Sequence, residues 1–297
     1  MPFRVRLGSW AEFVSVGESA LVLKPPSYSF SEAAALPMSA LVAYGAVKSA
    51  GFLNTPVVQS DKPTASTDVE VDVEVKVEVE AKTEVEVEAT EDNPALLVRR
   101  GCDLQTVQQA RVAVVGASST IGLMVVDMLV SRAVKVVGVS SASSAPTVLS
   151  NGALAVLDRT QGGLEAKKGL GFDVIIDCVG GQEVEDAARK AMEGRGRFVT
   201  VVGPGDNNTF ADIGTNQLTH GFKIASRSFK SLFTGTKYTL ASMPLTGKTN
   251  ILKQLMKENI KSVLDSEVEM FNEDALIAAV NKVNSHKTRG RLVLIIN

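Results

Sequence analysis

The stretch that decides the fold is VAVVGASSTIGLMVVDML, at residues 112–129. An apolar run reaches Gly116, a turn of small residues follows, and an apolar stretch with helical spacing begins at Gly122. This order predicts a strand, a tight turn and a helix whose first N–H groups can hold a phosphate. The match to the fingerprint G-x-G-x-x-G is imperfect, because Ala117 and Ser119 occupy its first two glycine positions. The turn alone therefore leaves open a nucleotide site or an ordinary strand–turn–helix.

Strands and helices alternate regularly from this stretch to Gly203. The strands are continuous apolar runs, which is typical of strands buried on both faces of a sheet. The alternation predicts an α/β fold with a doubly wound parallel sheet, and a ligand site at the carboxyl ends of its strands. The predicted strands are RVAVVG, VKVVGVS, AVLD, FDVIIDCVGG and GRFVTVVG, and the predicted helices cover 120–132, 145–151 and 183–192.

Composition excludes several classes of protein. The chain has 297 residues, two cysteines and two histidines, so neither a disulfide framework nor a zinc site is favoured. No apolar run reaches the length of a membrane span, and the N-terminus has no secretory pattern, so we expect an intracellular protein without a membrane span. We find no nucleic-acid-binding motif.

An acidic segment interrupts the otherwise mildly basic chain. Residues 61–92 contain twelve acids and three lysines, a net charge of −9, whereas the remainder has a net charge of +7. Valine alternates with charged residues here, which is formally a strand pattern, but like charges on one face would repel. We predict a disordered low-complexity insert at about 56–93. The alternative is an edge-pairing or docking segment that contacts a basic partner.

Helix signals flank this insert. Ser29 and Glu32 have capping-box spacing before an alanine-rich stretch that Pro37 is expected to interrupt, and the following helix is expected to end at Gly51. Beyond Gly203 the pattern is less regular. Helices are predicted at about 249–259 and at 273–285, with a final strand in GRLVLIIN.

Two dehydrogenase families share motifs with this chain. VVGASSTIG resembles the turn of short-chain dehydrogenases, and Tyr44 and Lys48 have the Tyr-x-x-x-Lys spacing of that family. This pair precedes the turn, whereas the family places it after the turn, so we interpret both residues as ordinary helix residues.

The order of the motifs resembles the medium-chain dehydrogenase/reductase superfamily. The chain is most similar to its zinc-free quinone-oxidoreductase branch and, within that, to the mitochondrial reticulon-interacting oxidoreductases. The motifs are GSWAEFVSV, SEAAALPMSALVAYGAV, GASSTIG, NGALAVLD, FDVIIDCVGG, QLTHGFKIASRSFKSLFTG and RGRLVLIIN. The resemblance covers the chain except about 54–108.

This resemblance implies a Rossmann cofactor domain, residues 39–261, inserted into a GroES-like half-barrel made of residues 1–38 and 262–297. The family places further strands before GSWAEF, so the half-barrel is expected to be truncated. Val42 occupies a position where the family often has a threonine near the nicotinamide. Both departures bear on catalytic competence.

The implied function is NADPH-dependent hydride transfer to a quinone or an α,β-unsaturated carbonyl, without zinc and without an assigned catalytic side chain. The alternative is a catalytically impaired nucleotide-binding pseudoenzyme that acts as an interaction protein. The resemblance also suggests a mitochondrial location, against a cytoplasmic one, and a homodimer.

Each predicted cofactor contact has a role. The turn amides should hold the pyrophosphate, and serines at the end of the second strand should accept the extra phosphate of NADPH, where an acid would repel it. Arg159 and Arg289 should supply positive charge, or else are ordinary surface charges. The residues predicted to bind the cofactor are Gly116, Ser118, Ser119, Thr120, Ile121, Gly122, Ser140, Ser141, Arg159, Val179, Gly180, Val202, Gly203 and Arg289.

Overall fold

The structure is a computed structural model that describes residues 15–57, 85–167, 170–203, 235–260, 263–269, 272–285, 288 and 290–295. Its helices are α1 (Phe30–Ala50), α2 (Leu104–Gln108), α3 (Thr120–Val130), α4 (Ala145–Ser150), α5 (Gln182–Ala191), α6 (Lys248–Lys257) and α7 (Glu273–Asn284). Its strands are β1 (Val87–Ala89), β2 (Leu96–Arg99), β3 (Val112–Val115), β4 (Val136–Ser140), β5 (Ala155–Asp158), β6 (Val174–Asp177), β7 (Gly196–Thr200), β8 (Thr236–Leu240), β9 (Leu264–Glu269) and β10 (Arg291–Ile295).

An eight-stranded sheet organises the fold, in the order β1-β2-β5-β4-β3-β6-β7-β8. Its six strands from β5 to β8 pair in parallel, which confirms the predicted doubly wound sheet over that part. The sheet as a whole is mixed, because β2 pairs antiparallel with β5 and β1 antiparallel with β2. Since β3 lies between β4 and β6, the strand order reverses at β3, which is where such folds bind ligands.

Alternate side chains of the parallel strands enter two hydrophobic cores on opposite faces of the sheet. Val112 and Val114 of β3 pack with residues of α1 and α3, whereas Ala113 and Val115 pack in the core that contains Ala188 of α5. This two-residue alternation is the pleat of a strand with both faces covered. The continuous apolar runs in the sequence therefore correspond to strands that are buried on both faces, as predicted.

Helix α1 begins as predicted and continues further than predicted. The Ser29 hydroxyl accepts a hydrogen bond from the Glu32 amide, the Glu32 carboxylate accepts one from the Ser29 amide, and the helix ends at Gly51 with φ +93°. The expected interruption at Pro37 is wrong, because α1 is continuous and its buried side chains stabilise it across the proline. The domain boundary predicted at 38/39 consequently falls inside this helix.

Helix α1 also qualifies by length and apolar composition as a membrane span, contrary to the expectation that no apolar run is long enough. Half of the apolar window is buried inside the protein, and a core helix passes the same test. Residues such as Leu36, Ala40 and Val47 are fully buried against α3 and its neighbours. The contacts in the structure are those of a core helix.

The acidic insert predicted at 56–93 needs a correction at its C-terminal end, because β1 forms there and adds an edge strand to the sheet. Val87 packs against the core, whereas Glu86 and Glu88 face Arg100, which follows β2. The alternation of valine and glutamate thus acts as a strand pattern once one arginine offsets the like charges. Residues 58–84 lie outside the described residues.

A smaller unit follows the main sheet, in which β9 and β10 pair in parallel and α7 connects them. The helices predicted at about 249–259 and at 273–285 are confirmed as α6 and α7, and the predicted last strand is β10. Strand β8 was not predicted, because it is an edge strand in which lysine and threonines flank the buried Tyr238.

Candidate functional site

The turn after β3 is tied to the neighbouring strand by its backbone. The amides of Gly116 and Ala117 both donate to the carbonyl of Val139, at 3.0 and 3.1 Å. Gly116 has φ +72°, and a Cβ there would lie 2.7 Å from the side chain of Val179. Glycine is needed here for its backbone conformation and for this close approach. The turn is therefore fixed in position before the helix begins.

The first turn of α3 leaves backbone donors free. Ser119 caps the helix, its hydroxyl accepting from the Gly122 amide at 3.0 Å. A Cβ on Gly122 would lie 2.2 Å from the carbonyl oxygen of Gly116, so only glycine fits. In the described part of the chain, the amides of Ser118, Thr120 and Ile121 have no hydrogen-bond acceptor. Three free N–H groups at the positive end of a helix form a candidate anion site.

Serines, and no acid, occupy the end of β4. Ser140 is the last residue of the strand and is buried, and the Ser141 hydroxyl lies 3.1 Å from the hydroxyls of both Ser143 and Ser144. The strand register pairs Ser140 with Asp158, so Arg159 follows at the same edge of the sheet. Arg159 is exposed, and no carboxylate among the described residues forms an ion pair with it.

A buried carboxylate braces the turn after β6, and it was not among the predicted site residues. Asp177 is 1% exposed, and its Oδ1 accepts from the amides of Val179 and Gly180, both at 2.9 Å. Its Oδ2 accepts from the hydroxyl of Thr200 at 2.8 Å. Burial raises the pKa of Asp177, although these hydrogen bonds favour the ionised form and oppose the shift.

The same brace continues to the turn after β7. Thr200 pairs with Asp177 across the two strands, and its hydroxyl oxygen accepts from the amides of Val202 and Gly203, at 3.3 and 3.2 Å. One carboxylate and one hydroxyl, which we call the Asp177–Thr200 brace, therefore hold two neighbouring turns. An aspartate two residues before a turn amide is a recognisable sequence signal, but the pairing with Thr200 depends on strand register.

Two apolar side chains project from the braced turns. Val179 is 43% exposed and Val202 is 47% exposed, although both lie beside buried glycines. A Cβ on Gly180 would lie 2.8 Å from the side chain of Val202, so the second turn packs directly on the first. The sheet edge thus presents apolar surface next to the free amides of α3, as a site for a ligand with both polar and apolar parts would.

Cys178 lies between these turns and β6. Burial raises the pKa of its thiol, so the thiol stays protonated at neutral pH and is a poor nucleophile. Within the described ranges, His, Cys, Asp and Glu side chains do not form any group of three that could hold a metal ion.

The structure brings most of the predicted site residues to one edge of the sheet, around the carboxyl ends of β3, β4, β5, β6 and β7. Arg289 lies outside the described residues. The Thr120 hydroxyl forms a bond inside the chain, donating to the carbonyl of Gly290 at 2.8 Å. The residues at the shared edge are Gly116, Ser118, Ser119, Thr120, Ile121, Gly122, Ser140, Ser141, Arg159, Val179, Gly180, Val202 and Gly203.

Comparison with known families and structures finds similarity to dehydrogenases. Residues 151–294 match the family model described as zinc-binding dehydrogenase. No curated protein sequence is significantly similar to the chain. The family match covers just under half of the chain, from the start of the loop before β5 to β10.

Solved structures share the fold at low sequence identity. An NAD-dependent alcohol dehydrogenase matches with a TM-score of 0.60 and 18% identity, over 98% of this chain and 66% of that one. A quinone oxidoreductase from Coxiella burnetii matches with a TM-score of 0.57 and 13% identity, over 93% and 64%. An alcohol dehydrogenase superfamily protein from Novosphingobium aromaticivorans matches with a TM-score of 0.58 and 15% identity, over 98% and 71%. The chain thus spans about two thirds of the length of these structures.

Proposed function

We propose that the protein is an NADPH-dependent oxidoreductase that transfers hydride to a quinone or an α,β-unsaturated carbonyl, without zinc. The observation that carries the proposal is the set of free amides at Ser118, Thr120 and Ile121, at the switch point of a dehydrogenase-type sheet. Donors in this position match the pyrophosphate of a dinucleotide. Gly116 and Gly122 allow the close packing that holds the turn and the start of α3 in this arrangement.

The end of β4 supports the choice of NADPH over NADH. Dinucleotide-binding folds that hold NAD use an acid here, which accepts hydrogen bonds from the ribose and repels a 2′-phosphate. Ser140 and Ser141 carry no such charge, and Arg159 at the adjacent strand end has no carboxylate partner in the described residues. These three residues would hold the 2′-phosphate.

The braced turns would position the reacting end of the cofactor. A nicotinamide cofactor supplies the hydride when it is bound. Val179 and Val202 would cover the ring side of the site and exclude water, and the Asp177–Thr200 brace would hold both turns at a fixed spacing. Rigid positioning of the reacting atoms is a large part of the rate of such a transfer. No acid–base side chain of this chain is required.

Substrate class and domain plan extend this proposal. The Coxiella burnetii structure is a quinone oxidoreductase and shares the fold of this chain, which supports a quinone as the acceptor. Only two histidines and two cysteines occur in the whole sequence, which supports zinc-independence. We propose that the β9–α7–β10 unit belongs to a GroES-like half-barrel that covers the nicotinamide end of the site.

Nucleotide titration tests the cofactor. We expect NADPH to bind more tightly than NADH, and Arg159→Ala to weaken NADPH about tenfold or more without weakening NADH, because a charge-assisted hydrogen bond contributes about 1.5–3 kcal/mol. The matched control is Arg195→Ala, an exposed arginine just before β7, at the opposite edge of the sheet. Equal affinities for the two nucleotides would refute the preference.

Turnover tests the reaction itself. NADPH absorbance should fall in the presence of a naphthoquinone and stay constant without it. If the chain binds NADPH tightly but oxidises it with neither quinones nor enones, the reductase proposal is wrong and the nucleotide-binding pseudoenzyme is the better interpretation.

A further inference from the structure

One side chain links the candidate phosphate site to the C-terminal unit. The Thr120 hydroxyl donates to the carbonyl oxygen of Gly290 at 2.8 Å, across 170 residues of sequence. Thr120 is the first residue of α3, and Gly290 immediately precedes β10. The bond therefore joins the start of the helix that offers the free amides to the strand that closes the β9–α7–β10 unit.

The position of the Gly290 carbonyl is set by its own sheet. Gly290 is buried with φ +108°, and a Cβ there would lie 2.3 Å from the carbonyl oxygen of Val263. The next amide, that of Arg291, donates to the same Val263 oxygen at 2.8 Å. Backbone conformation and pairing both hold Gly290 against Val263, the residue before β9. The bond from Thr120 thus holds the edge of a packed sheet and not a loose chain end.

The chemistry of this contact bears on anion binding. A carbonyl oxygen next to a bound phosphate is unfavourable, because its partial negative charge repels the anion and both groups accept from the same donors. The hydroxyl of Thr120 satisfies this carbonyl, and the amides of Ser118, Thr120 and Ile121 have no acceptor among the described residues. The Ser119 hydroxyl cannot substitute, because it caps α3 through the Gly122 amide.

We propose that Thr120 is a positioning residue. Its hydroxyl couples the packing of the β9–α7–β10 unit against the start of α3 to nucleotide binding at the phosphate site. The proposal rests on the proposed function. Nucleotide bound at the amides restrains the start of α3 in the conformation in which the Thr120 hydroxyl donates to Gly290, so it favours the position of β10 that makes this bond. By reciprocity, a β10 that is held by the Thr120–Gly290 bond favours nucleotide binding to the same degree.

The experiment compares amide hydrogen exchange and nucleotide affinity in three variants of the full chain. In the wild type, NADPH should slow exchange at residues 291–295. Thr120→Val keeps the shape of the side chain and removes the donor, so it should abolish this slowing and weaken NADPH about tenfold, which is about 1.4 kcal/mol. Thr120→Ser restores the donor and should restore both effects. Thr55→Val, at an exposed loop threonine, is the control and should behave as wild type.

Two further measurements separate the outcomes. Exchange at β3 and β4 should be equal in all variants, and a general loss of protection in Thr120→Val would instead mark a purely structural role and refute the coupling. If Thr120→Val does not fold, Thr120→Ala removes the same donor with a smaller side chain and should reproduce both effects. A wild type that binds NADPH, with Thr120→Val unchanged in affinity and exchange, overturns the coupling alone. A wild type that binds no nicotinamide nucleotide overturns the proposed function as well.

Discussion

The main sheet and the β9–α7–β10 unit contrast in how deeply their strands are buried. Every residue of β3, β4 and β5 is buried, whereas β10 buries Val293 alone and α7 buries Ala279 alone. Both sheets use parallel pairing, but the larger one has a hydrophobic core on each face. Two strands with a single helix bury too little to be stable alone, so the smaller unit depends on its contacts with α1 and on Thr120.

This contrast explains where the candidate site lies. Its turns follow strands that are held on both faces, so their free amides and exposed valines have fixed positions. We expect the C-terminal unit to open at a lower cost in free energy than the main sheet, because local opening scales with the contacts that it breaks.

The first prediction tests the contrast directly, and its expected effect is the largest. Amides of β3 and β4 should exchange at least about a thousandfold more slowly than amides of β9 and β10 in the absence of ligand, a difference of about 4 kcal/mol in opening free energy. Native-state hydrogen exchange with fragment analysis measures both regions in one sample. Similar protection in both sheets would show that the two units open together.

A second prediction concerns the brace inside the main sheet. Asp177→Ala should lower the free energy of unfolding by about 3 kcal/mol, because it leaves two turn amides and the Thr200 hydroxyl without their acceptor. Urea denaturation measures the change. The control is Asp173→Ala, an exposed aspartate just before the same strand, which should stay within about 0.5 kcal/mol of wild type. Equal losses in the two variants would mean that the brace is not a stabilising element.

The third prediction concerns the junction of the two regions. The Tyr28 hydroxyl donates to the buried carbonyl of Ile260, just before the C-terminal unit, and burial raises the pKa of Tyr28 to about 12. Between pH 10 and 12 the unfolded chain releases this proton while the folded chain retains it, so stability falls as the pH rises, by about 2 kcal/mol.

Tyr28→Phe isolates this effect from the other groups that titrate at alkaline pH. The variant should lose about 1 kcal/mol at pH 7, from the missing hydrogen bond, and its stability should depend less on pH above 10 than that of the wild type. Denaturant titrations at pH 7, 10 and 11.5 provide the comparison. Parallel pH curves for both proteins would contradict the assignment to Tyr28.

The smallest effect is expected outside both sheets. Replacing residues 61–84 by a short Gly-Ser linker, and leaving β1 intact, should lower Tm by less than about 3 °C, because shortening a connecting segment changes its closure entropy only slightly. A deletion that extends through Val87–Ala89 removes an edge strand and should cost more. A large fall in Tm for the shorter deletion would place the acidic segment against the protein body.

The parallel sheet was predictable because burial on both faces requires continuous apolar runs, and such runs end where the strands end. AVLD was predicted residue for residue and forms β5. Edge strands escape this logic. In β8 the polar residues hide the pattern, and in β1 the charge repulsion that argued against a strand is offset by Arg100, a residue distant in sequence.

The candidate site likewise has parts that the sequence predicts and parts that it does not. The turn from Gly116 to Gly122 was predictable, because its glycines, small residues and helix start are consecutive in the chain. The Asp177–Thr200 brace was not, because it depends on strand register across 23 residues. The bond from Thr120 to Gly290 spans 170 residues and has no local signal at either end. The predicted interruption at Pro37 was wrong for a related reason, because tertiary burial of α1 outweighs a local helix breaker.

The Asp177–Thr200 brace has a consequence for how this protein can be redesigned. Backbone geometry of the two turns is set by groups beneath them, while Val179 and Val202 contribute exposed side chains that the brace does not use. The scaffold and the contact surface are therefore encoded at separate positions. A library that varies only Val179 and Val202 should retain the fold in most of its members and, under the proposed function, differ in acceptor preference. A library that varies Asp177 or Thr200 should mainly return unstable proteins.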